Sequence, residues 1–282
     1  MPKTSSFVIR MGVKLLIASA MAFPSVAQTA KDALGAAAVE PLSNEPPPKI
    51  VVDPPLAEPM TRGRVVIQYR PLNLHIVPVF GASALAVSPR VGHVHVTVDD
   101  GPWGWAAATG DPVILNGLAP GPHKVLIEVV NSNHHTLDAG TVRFTVPEPP
   151  MAAATKAAQQ EGSAPALETG EPPAKIILTE PVAEPLSRGV VFIPYRTESL
   201  RIAPVFGVAA LGVSPRVGHI HVFVDDTTWH WADASGVPVI IQHLAPGPHK
   251  ILIQLVNANH KPIDQGTVEV TVPVFHTHTE PR

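Results

Sequence analysis

The sequence predicts an all-β protein made of two tandem antiparallel β-sandwich domains, joined by a Pro/Ala-rich linker. The prediction rests on an internal duplication and on short β-branched runs between Pro/Gly turns. Gly92 returns as Gly218, so the second copy is displaced by 126 positions (218 − 92), and residues 49–147 align with 175–273 without a gap. More than half of the aligned pairs are identical. This period describes a whole domain, because solenoid and propeller units repeat every ~20–50 residues.

Duplication and composition together divide the chain into six predicted segments. These are a signal peptide (1–27), a flexible arm (28–48), a first β-sandwich repeat (49–147), a linker (148–174), a second repeat (175–273) and a tail (274–282). The arm and the linker are rich in Ala, Pro and Glu, which is typical of semi-extended spacers. Each repeat has about 100 residues, a common size for an autonomous domain, so we expect two independently folding domains.

The amino terminus predicts export from a bacterial cell. Basic residues that include Lys3 and Lys14 accompany a short apolar run, which Ser25-Val26-Ala27 follows. Small residues at these positions are those that a signal peptidase reads, so we expect cleavage after Ala27 and a periplasmic or secreted protein. The apolar run is about half of the ~20 residues that a transmembrane helix needs, so we expect no membrane span.

Composition excludes several classes of function. The chain has no cysteine, which excludes disulfides and thiolate metal sites. The formal net charge of −3 argues against a nucleic-acid or anionic-membrane partner. Each domain must therefore be stabilised by its hydrophobic core alone.

The apolar runs of the first repeat are short and lack a helical period. The predicted strands are 65–69, 91–99, 113–115, 123–131 and 141–146. Turn signals such as Ser88-Pro89 and Asp138-Ala139-Gly140 separate them. Several strands at this spacing favour an antiparallel sandwich. Residues 81–87 are the one place in the repeat where we expect a helix, of at most one turn.

Two motifs carry a resemblance to known domains. The segment 118–127, with Pro120-Gly121-Pro122-His123-Lys124 at its centre, resembles the start of a late strand in many bacterial immunoglobulin-like domains. The longer pattern from Gly92-His93-Val94-His95 to Asn131-Ser132-Asn133-His134 resembles an exported bacterial domain family that is known only as a domain of unknown function. The resemblance implies an immunoglobulin-like sandwich and an exported protein, and it implies no activity.

Fourteen histidines are many for this length, and the duplication sorts them. Four are present in both copies, as the pairs His93/His219, His95/His221, His123/His249 and His134/His260. Two residues that lie two positions apart on a strand point to the same face. The valines between and after the first two histidines form the opposite face, which we expect to be the core. An antiparallel partner strand from His123 would bring His134 and, beyond it, Asp138 to the end that holds His93.

This arrangement has two interpretations. In the first, each domain binds one Zn²⁺ or Cu²⁺ ion, since imidazoles are good ligands for both. The ligands would be His93, His95 and His134 in the first repeat and His219, His221 and His260 in the second. In the second, the conserved histidines bond to neighbouring loops and bind nothing; we expect His123 to be structural in either case. A methionine-based copper site is set aside, because Leu186 replaces Met60 in the second copy.

A second conserved constellation consists of tryptophans. Trp103 and Trp105 match Trp229 and Trp231, and alternate residues on an extended segment point the same way. They could form a recognition platform for a sugar ring or a partner, but a role in capping the core is favoured because large aromatic side chains are usually mostly buried. The Asp99-Asp100-Gly101 segment is interpreted as a turn rather than as a Ca²⁺ site.

The chain shows no nucleophile motif and no phosphate-binding glycine loop, so we predict that it is not an enzyme. The favoured function is a non-catalytic periplasmic or cell-envelope binding protein, whose partner would be an envelope protein or a glycan. The alternative is a periplasmic Zn²⁺- or Cu²⁺-binding protein that uses the three conserved histidines of each domain.

Overall fold

The structure is a computed structural model that describes residues 46–85, 88–148 and 172–274. The predicted signal peptide with its cleavage site, and most of the arm, linker and tail, lie outside these residues. In the described ranges, no helix has the length and apolar character needed to cross a membrane.

The first repeat forms nine strands and two one-turn helices. In chain order they are β1 (Lys49–Val52), α1 (Ala57–Met60), β2 (Arg64–Ile67), β3 (Tyr69–Leu72), β4 (His75–Ile76), α2 (Ala82–Leu85), β5 (Val91–Val98), β6 (Gly104–Ala107), β7 (Val113–Asn116), β8 (Gly121–Asn131) and β9 (Thr136–Val146).

The second repeat follows the same order. Its elements are β10 (Lys175–Leu178), α3 (Ala183–Leu186), β11 (Val190–Ile193), β12 (Tyr195–Glu198), β13 (Arg201–Ile202), α4 (Val208–Val213), β14 (Val217–Val224), β15 (His230–Asp233), β16 (Val239–Gln242), β17 (Gly247–Asn257) and β18 (Pro262–Val272).

The predicted all-β, antiparallel, tandem architecture is confirmed. Every strand pair is antiparallel except the short pairs β4–β5 and β13–β14. The longest hairpins, β8–β9 and β17–β18, each carry a register shift near their tip, after Val129 and Leu255. Two further pairs, β1–β3 and β10–β12, form separate small sheets.

Each large sheet contains strands from both repeats. The first runs in the order β11-β16-β6-β5-β8-β9, and the second in the order β18-β17-β14-β15-β7-β2. The joints are β6–β16, where Trp105 lies opposite Ile241, and β15–β7, where Trp231 lies opposite Leu115. The repeats therefore exchange strands across these joints. Independent folding of each repeat stays a prediction.

The hydrophobic core is also shared. Val94 and Val96 of β5 have no solvent exposure, as expected for the valine face, and neither have Ile220 and Val222 of β14. All four belong to one continuous cluster of buried side chains that draws on both repeats. Alternation along the strand places these residues inward and the histidines on the other face.

Stacked tryptophans join the two repeats at the centre of this core. The rings of Trp105 and Trp231 stack at 4.7 Å, and those of Trp103 and Trp229 stack at 5.4 Å. Trp105 is 4% exposed and Trp231 is 2% exposed. The predicted core role therefore holds for this inner pair. Because the faces of Trp105 and Trp231 contact each other, little of either ring is left for a partner, and the recognition platform stays a prediction.

Sequence and structure differ at the strand ends and in the Pro-rich segments. The predicted strand 65–69 is two strands, β2 and β3, and the predicted 141–146 begins earlier, at Thr136. Strand β6 was not predicted, because Gly104 and two alanines weaken the alternation of large apolar and polar residues that marks a strand. The helix expected in 81–87 is the single turn α2, whereas α1 and α3 were not predicted.

Cleavage of the linker should leave the two repeats bound to each other. A specific protease site inserted between Glu148 and Pro173 would separate the chain into two fragments, which we expect to co-elute in gel filtration without denaturant. The reason is that β6–β16 and β15–β7 cross between the repeats. If the two fragments are folded and elute in separate peaks, the result would support two independently folding domains.

Truncation of the inner tryptophan pair should destabilise the whole protein. We expect Trp105→Ala or Trp231→Ala to lower the free energy of unfolding in urea by about 3–5 kcal/mol, because each leaves a large cavity in the shared core. Trp103→Ala is the matched control with a smaller expected loss, since its side chain is only half-buried. Equal small losses in all three variants would contradict this role.

Candidate metal site

The strand pair β5–β8 positions the first two histidines. Gly92 lies opposite Asn131, and His93 lies opposite Val130. A Cβ atom at Gly92 would lie 2.0 Å from the carbonyl oxygen of Val130, so only glycine lets the two strands approach this closely. Gly218 makes the same approach to the carbonyl oxygen of Val256 in the second repeat.

The loop after β8 positions the third histidine. The side-chain oxygen of Asn131 accepts hydrogen bonds from the backbone N–H groups of Asn133 at 2.9 Å and His135 at 3.0 Å. The backbone N–H of His134 donates to the Asn131 carbonyl at 2.9 Å and holds this residue at φ 63°. His260 has the same φ of 63°. A left-handed backbone is uncommon in residues other than glycine, and both tight turns and functional sites use it.

These elements bring the three predicted histidines of the first repeat together; we call His93, His95 and His134 site 1. His93 Nε2 lies 3.1 Å from His95 Nε2 and 3.3 Å from His134 Nδ1. His95 Nε2 lies 3.1 Å from His134 Nδ1. Three ring nitrogens thus form a nearly equilateral triangle.

The second repeat builds the same triangle; we call His219, His221 and His260 site 2. His219 Nε2 lies 3.2 Å from His221 Nε2 and 3.1 Å from His260 Nδ1. His221 Nε2 lies 2.9 Å from His260 Nδ1. Both copies present the same ring nitrogens, two Nε2 atoms and one Nδ1 atom.

Hydrogen bonds cannot account for either triangle. The facing nitrogen of a neutral imidazole either carries a proton and donates, or carries a lone pair and accepts. Among three mutually close nitrogens, at least two must be of the same kind, so at least one contact is repulsive. A cation at the centre removes the conflict, because all three nitrogens then direct lone pairs at it.

The triangles have the dimensions of a zinc site. With Zn–N distances of about 2.0–2.1 Å and tetrahedral angles, neighbouring nitrogens lie about 3.3 Å apart. Three ligands of a square-planar ion would instead include a pair about 4 Å apart. No pair of facing nitrogens in either triangle is separated by more than 3.3 Å.

Each triangle has a buried side and a more open side. His93 and His219 have no exposed surface and His221 is 5% exposed, whereas His134 is exposed and His95 and His260 are half-buried. Phe80 covers site 1, with ring centroids 4.8 Å from His93 and 6.3 Å from His134. Phe206 covers site 2 in the same way. The histidine face of β5 was expected to face solvent or a groove, and in the structure it lines a groove that Phe80 covers in part.

Burial keeps the imidazoles neutral. Desolvation, followed by repulsion from the other two rings of the site, lowers the pKa of His93 to about 2. Desolvation and the charges of Arg64 and His230 lower the pKa of His219 to about 3. Metal binding requires unprotonated imidazoles, so both sites have ligands ready at neutral pH. The outer ring nitrogens Nδ1 of His93 and His219 find no hydrogen-bond partner in the described residues.

Other predicted groups lie elsewhere. Asp138 does not join site 1, because its carboxylate accepts the backbone N–H of Ile50 at 2.8 Å and anchors β1. His123 is structural, with Nδ1 2.7 Å from Asp99 Oδ2 and Nε2 2.7 Å from the Ala119 carbonyl. The tail residues His276 and His278 lie outside the described residues.

Sequence reasoning missed the residues that surround the triangles. Gln242 of the second repeat lies 2.9 Å from His95 Nε2, through its side-chain nitrogen. The ring of His230 packs against His221 at a tilt, with ring centroids 4.5 Å apart. Neither residue is matched in the other copy, where Asn116 and Gly104 take their places. Gln242 comes to site 1 from the other repeat, across the pair β6–β16, which the sequence does not reveal. His230 lies on β15, the neighbour of β14 within the second repeat.

Comparison with known proteins places the chain in one family and gives no activity. A family of unknown function, DUF6130, matches residues 8–158 and again residues 151–280. This confirms the predicted resemblance to a duplicated uncharacterised domain. No curated protein matches the chain.

Solved structures with partial similarity are fibronectin-type modules and an adhesion repeat. The fibronectin(III)-like modules of Clostridium thermocellum CbhA are 11% identical over 82% of this chain and 100% of theirs, with a TM-score of 0.23. The central fibronectin-III array of RIM-binding protein is 12% identical over 86% of this chain and 75% of its own, also with a TM-score of 0.23. A tetra-tandem repeat of a large adhesion protein is 8% identical over 80% of this chain and 49% of its own, with a TM-score of 0.22. Similarity this distant has no bearing on function.

When no metal is bound, lowering the pH should decrease the free energy of unfolding more steeply than protonation of the exposed histidines alone would explain. The folded-state pKa values of His93 and His219 lie below the unfolded value of about 6.5. As the pH falls from about 6.5 towards about 3, the unfolded chain binds protons that the native state excludes. The free energy of unfolding should then drop by up to about 1.4 kcal/mol per pH unit for each of the two groups.

Urea unfolding with a chelator present, at about pH 7 and about pH 5, measures this dependence. The double variant His93→Gln/His219→Gln should show a shallower loss of stability than the parent. His75→Gln is the matched control, because its side chain is exposed. An unchanged pH dependence in the double variant would show that these imidazoles are not excluded from protonation.

Proposed function

This chain belongs to the family of unknown function DUF6130, which it carries twice, and from the geometry of its two histidine clusters we propose that it binds one Zn²⁺ ion in each repeat. The observation that carries the proposal is the pair of nitrogen triangles, with edges of 2.9–3.3 Å, that recurs with the same ring atoms in both copies. Hydrogen bonding leaves at least one repulsive contact in each triangle, and a bound cation leaves none.

The choice of ion follows from ligand type and shape. Imidazole nitrogens suit Zn²⁺ and Cu²⁺, but a near-equilateral triangle fits three corners of a tetrahedron, which is the geometry that Zn²⁺ prefers. Cu²⁺ favours a tetragonal arrangement. To provide it, two of the three nitrogens of the triangle would have to move farther apart. Zn²⁺ is therefore the expected ion, and Cu²⁺ is the alternative that a competition measurement distinguishes.

Binding rather than catalysis is the role that the surroundings favour. Among the described residues, the groups within hydrogen-bond distance of the six facing nitrogens are other imidazoles and the Gln242 amide. A zinc hydrolase also needs a positioned base to activate water or a group to stabilise the developing charge. We therefore propose a non-catalytic metal-binding protein.

The compartment and the partner are proposals that rest on the sequence alone. The basic start, the short apolar run and Ser25-Val26-Ala27 support an exported protein. In a bacterial envelope, a metal-binding protein of this kind would hold or pass on Zn²⁺. The partner envelope protein or glycan stays a prediction. The tryptophan platform that would bind this partner is not supported at Trp105 and Trp231, because these two rings are buried against each other.

Zinc titration of the metal-stripped protein tests the proposal. Isothermal calorimetry should show two Zn²⁺ ions per chain, and one ion in the double variant His93→Ala/His95→Ala. His219→Ala/His221→Ala should likewise leave one ion. Each pair removes two of the three ligands of one site and leaves the other triangle intact.

His123→Ala is the matched control and should retain both ions, because its ring bonds Asp99 and Ala119 outside the triangles. A second control deletes the tail that holds His276 and His278. Absence of saturable binding, or binding that disappears only with the tail, would overturn the proposal.

A further inference from the structure

The two sites share their histidines but differ in one row of neighbouring residues. In the first large sheet, Gly104, Gln242 and Val190 are cross-strand partners on β6, β16 and β11. In the second large sheet, the equivalent row on β15, β7 and β2 is His230, Asn116 and Arg64. All three positions changed between the copies while every ligand position stayed the same.

In site 1, this row supplies a fourth group from the opposite repeat. The side-chain nitrogen of Gln242 lies 2.9 Å from His95 Nε2 and 3.3 Å from His134 Nδ1. Gln242 is 6% exposed, so the amide is held inside the protein. The oxygen and nitrogen of an amide exchange places by a half-turn of the side chain, which would present the oxygen to a metal ion as a fourth ligand.

In site 2, the equivalent amide is engaged elsewhere. Asn116 is one methylene shorter than Gln242, and its side-chain oxygen accepts a hydrogen bond from Arg64 Nε at 3.3 Å. The side-chain nitrogen of Asn116 is buried and makes no hydrogen bond within the described residues. No protein group of the described ranges therefore takes the place that Gln242 occupies in site 1.

A positive charge stands beside that open position instead. Arg64 is partly desolvated, and its charge contributes to lowering the pKa of His219, His221, His230 and His260. None of the ion pairs found among the described residues involves Arg64. Beside site 1, the equivalent position holds the uncharged Val190.

The other new residue of the row adds a polar group. Both ring nitrogens of His230 are buried and have no hydrogen-bond partner within the described ranges, although the ring packs at a tilt against His221 and Phe223. A Zn²⁺ ion on three neutral imidazoles next to an arginine would create a strongly positive site. A small anion would balance it, accept the bonds that Arg64 and His230 offer, and complete the tetrahedron.

We infer that the two sites differ in their fourth ligand: Gln242 completes site 1, whereas site 2 takes a small oxyanion, such as a carboxylate or carbonate, beside Arg64. This inference rests on the proposed Zn²⁺ binding. With Gln242 as the fourth ligand, site 1 has no position left for an external ligand, and its ion is held by residues of both repeats. Site 2 becomes the place where a bound metal recognises an external anionic ligand.

Cobalt substitution tests the inference one site at a time. Co²⁺ replaces Zn²⁺ and reports its ligands through its visible absorption. His93→Ala/His95→Ala leaves only site 2, and His219→Ala/His221→Ala leaves only site 1. Titration with formate should change the spectrum of site 2 to saturation and leave the spectrum of site 1 unchanged.

Exchanging the row residues provides matched variants. Arg64→Val, the residue of the other copy, should weaken formate binding at site 2 roughly tenfold or more, since a charge-assisted bond is lost. Gln242→Asn should lower the Co²⁺ affinity of site 1 and make its spectrum respond to formate. Circular dichroism checks the fold of each variant, and Arg64→Gln serves the same comparison if Arg64→Val fails to fold.

The outcomes separate the two proposals. If neither site binds Co²⁺ or Zn²⁺, the proposed function is wrong and the inference falls with it. If both sites bind metal but respond alike to formate, or if Arg64→Val and Arg64→Gln leave formate binding unchanged, metal binding stands and the difference between the sites is overturned.

Discussion

Hydrogen bonding of β6 to β16 and of β15 to β7 is the constraint on which the rest of this structure depends. These two joints extend each sheet from one repeat into the other, and they bring the inner tryptophans Trp105 and Trp231 into a stack at 4.7 Å. The buried side chains of both repeats then form a single cluster. Because apolar burial supplies most of the stability of such a domain and disulfides are absent, neither repeat carries its full stabilisation alone.

The same joints decide the surroundings of the two histidine triangles. Each histidine triangle is built within one repeat, by the start of a strand and the loop that follows its antiparallel neighbour. The groups beside each triangle come from the opposite repeat: Gln242 for site 1, Arg64 and Asn116 for site 2. Duplication thus produced two copies of one ligand set, while strand exchange gave each copy a different neighbour. Two triangles of the same histidines thus differ in the charged and polar groups beside them.

Burial explains why three histidines tolerate so close an approach. Nitrogens 2.9–3.3 Å apart would repel strongly if two of the rings were charged, and desolvation holds them neutral by lowering their pKa. The backbone contributes as well, because His134 and His260 are held at φ 63° by bonds within their loops. Such an arrangement is costly for the folded protein without a cation, and a cation that binds only the native state stabilises it.

The sequence by itself determined the β class, the duplication, the valine core face and the three histidines that converge, because alternation and antiparallel pairing are local rules that fix which residues share a face and an end. It did not determine which strands complete each sheet. Pairing at a sheet edge depends on which backbone groups remain free after each repeat has formed its hairpins, and two similar repeats offer each other nearly identical edges. Only the tertiary structure chose the exchanged pairing. With it came the buried tryptophan stack, Gln242 beside site 1 and Arg64 beside site 2.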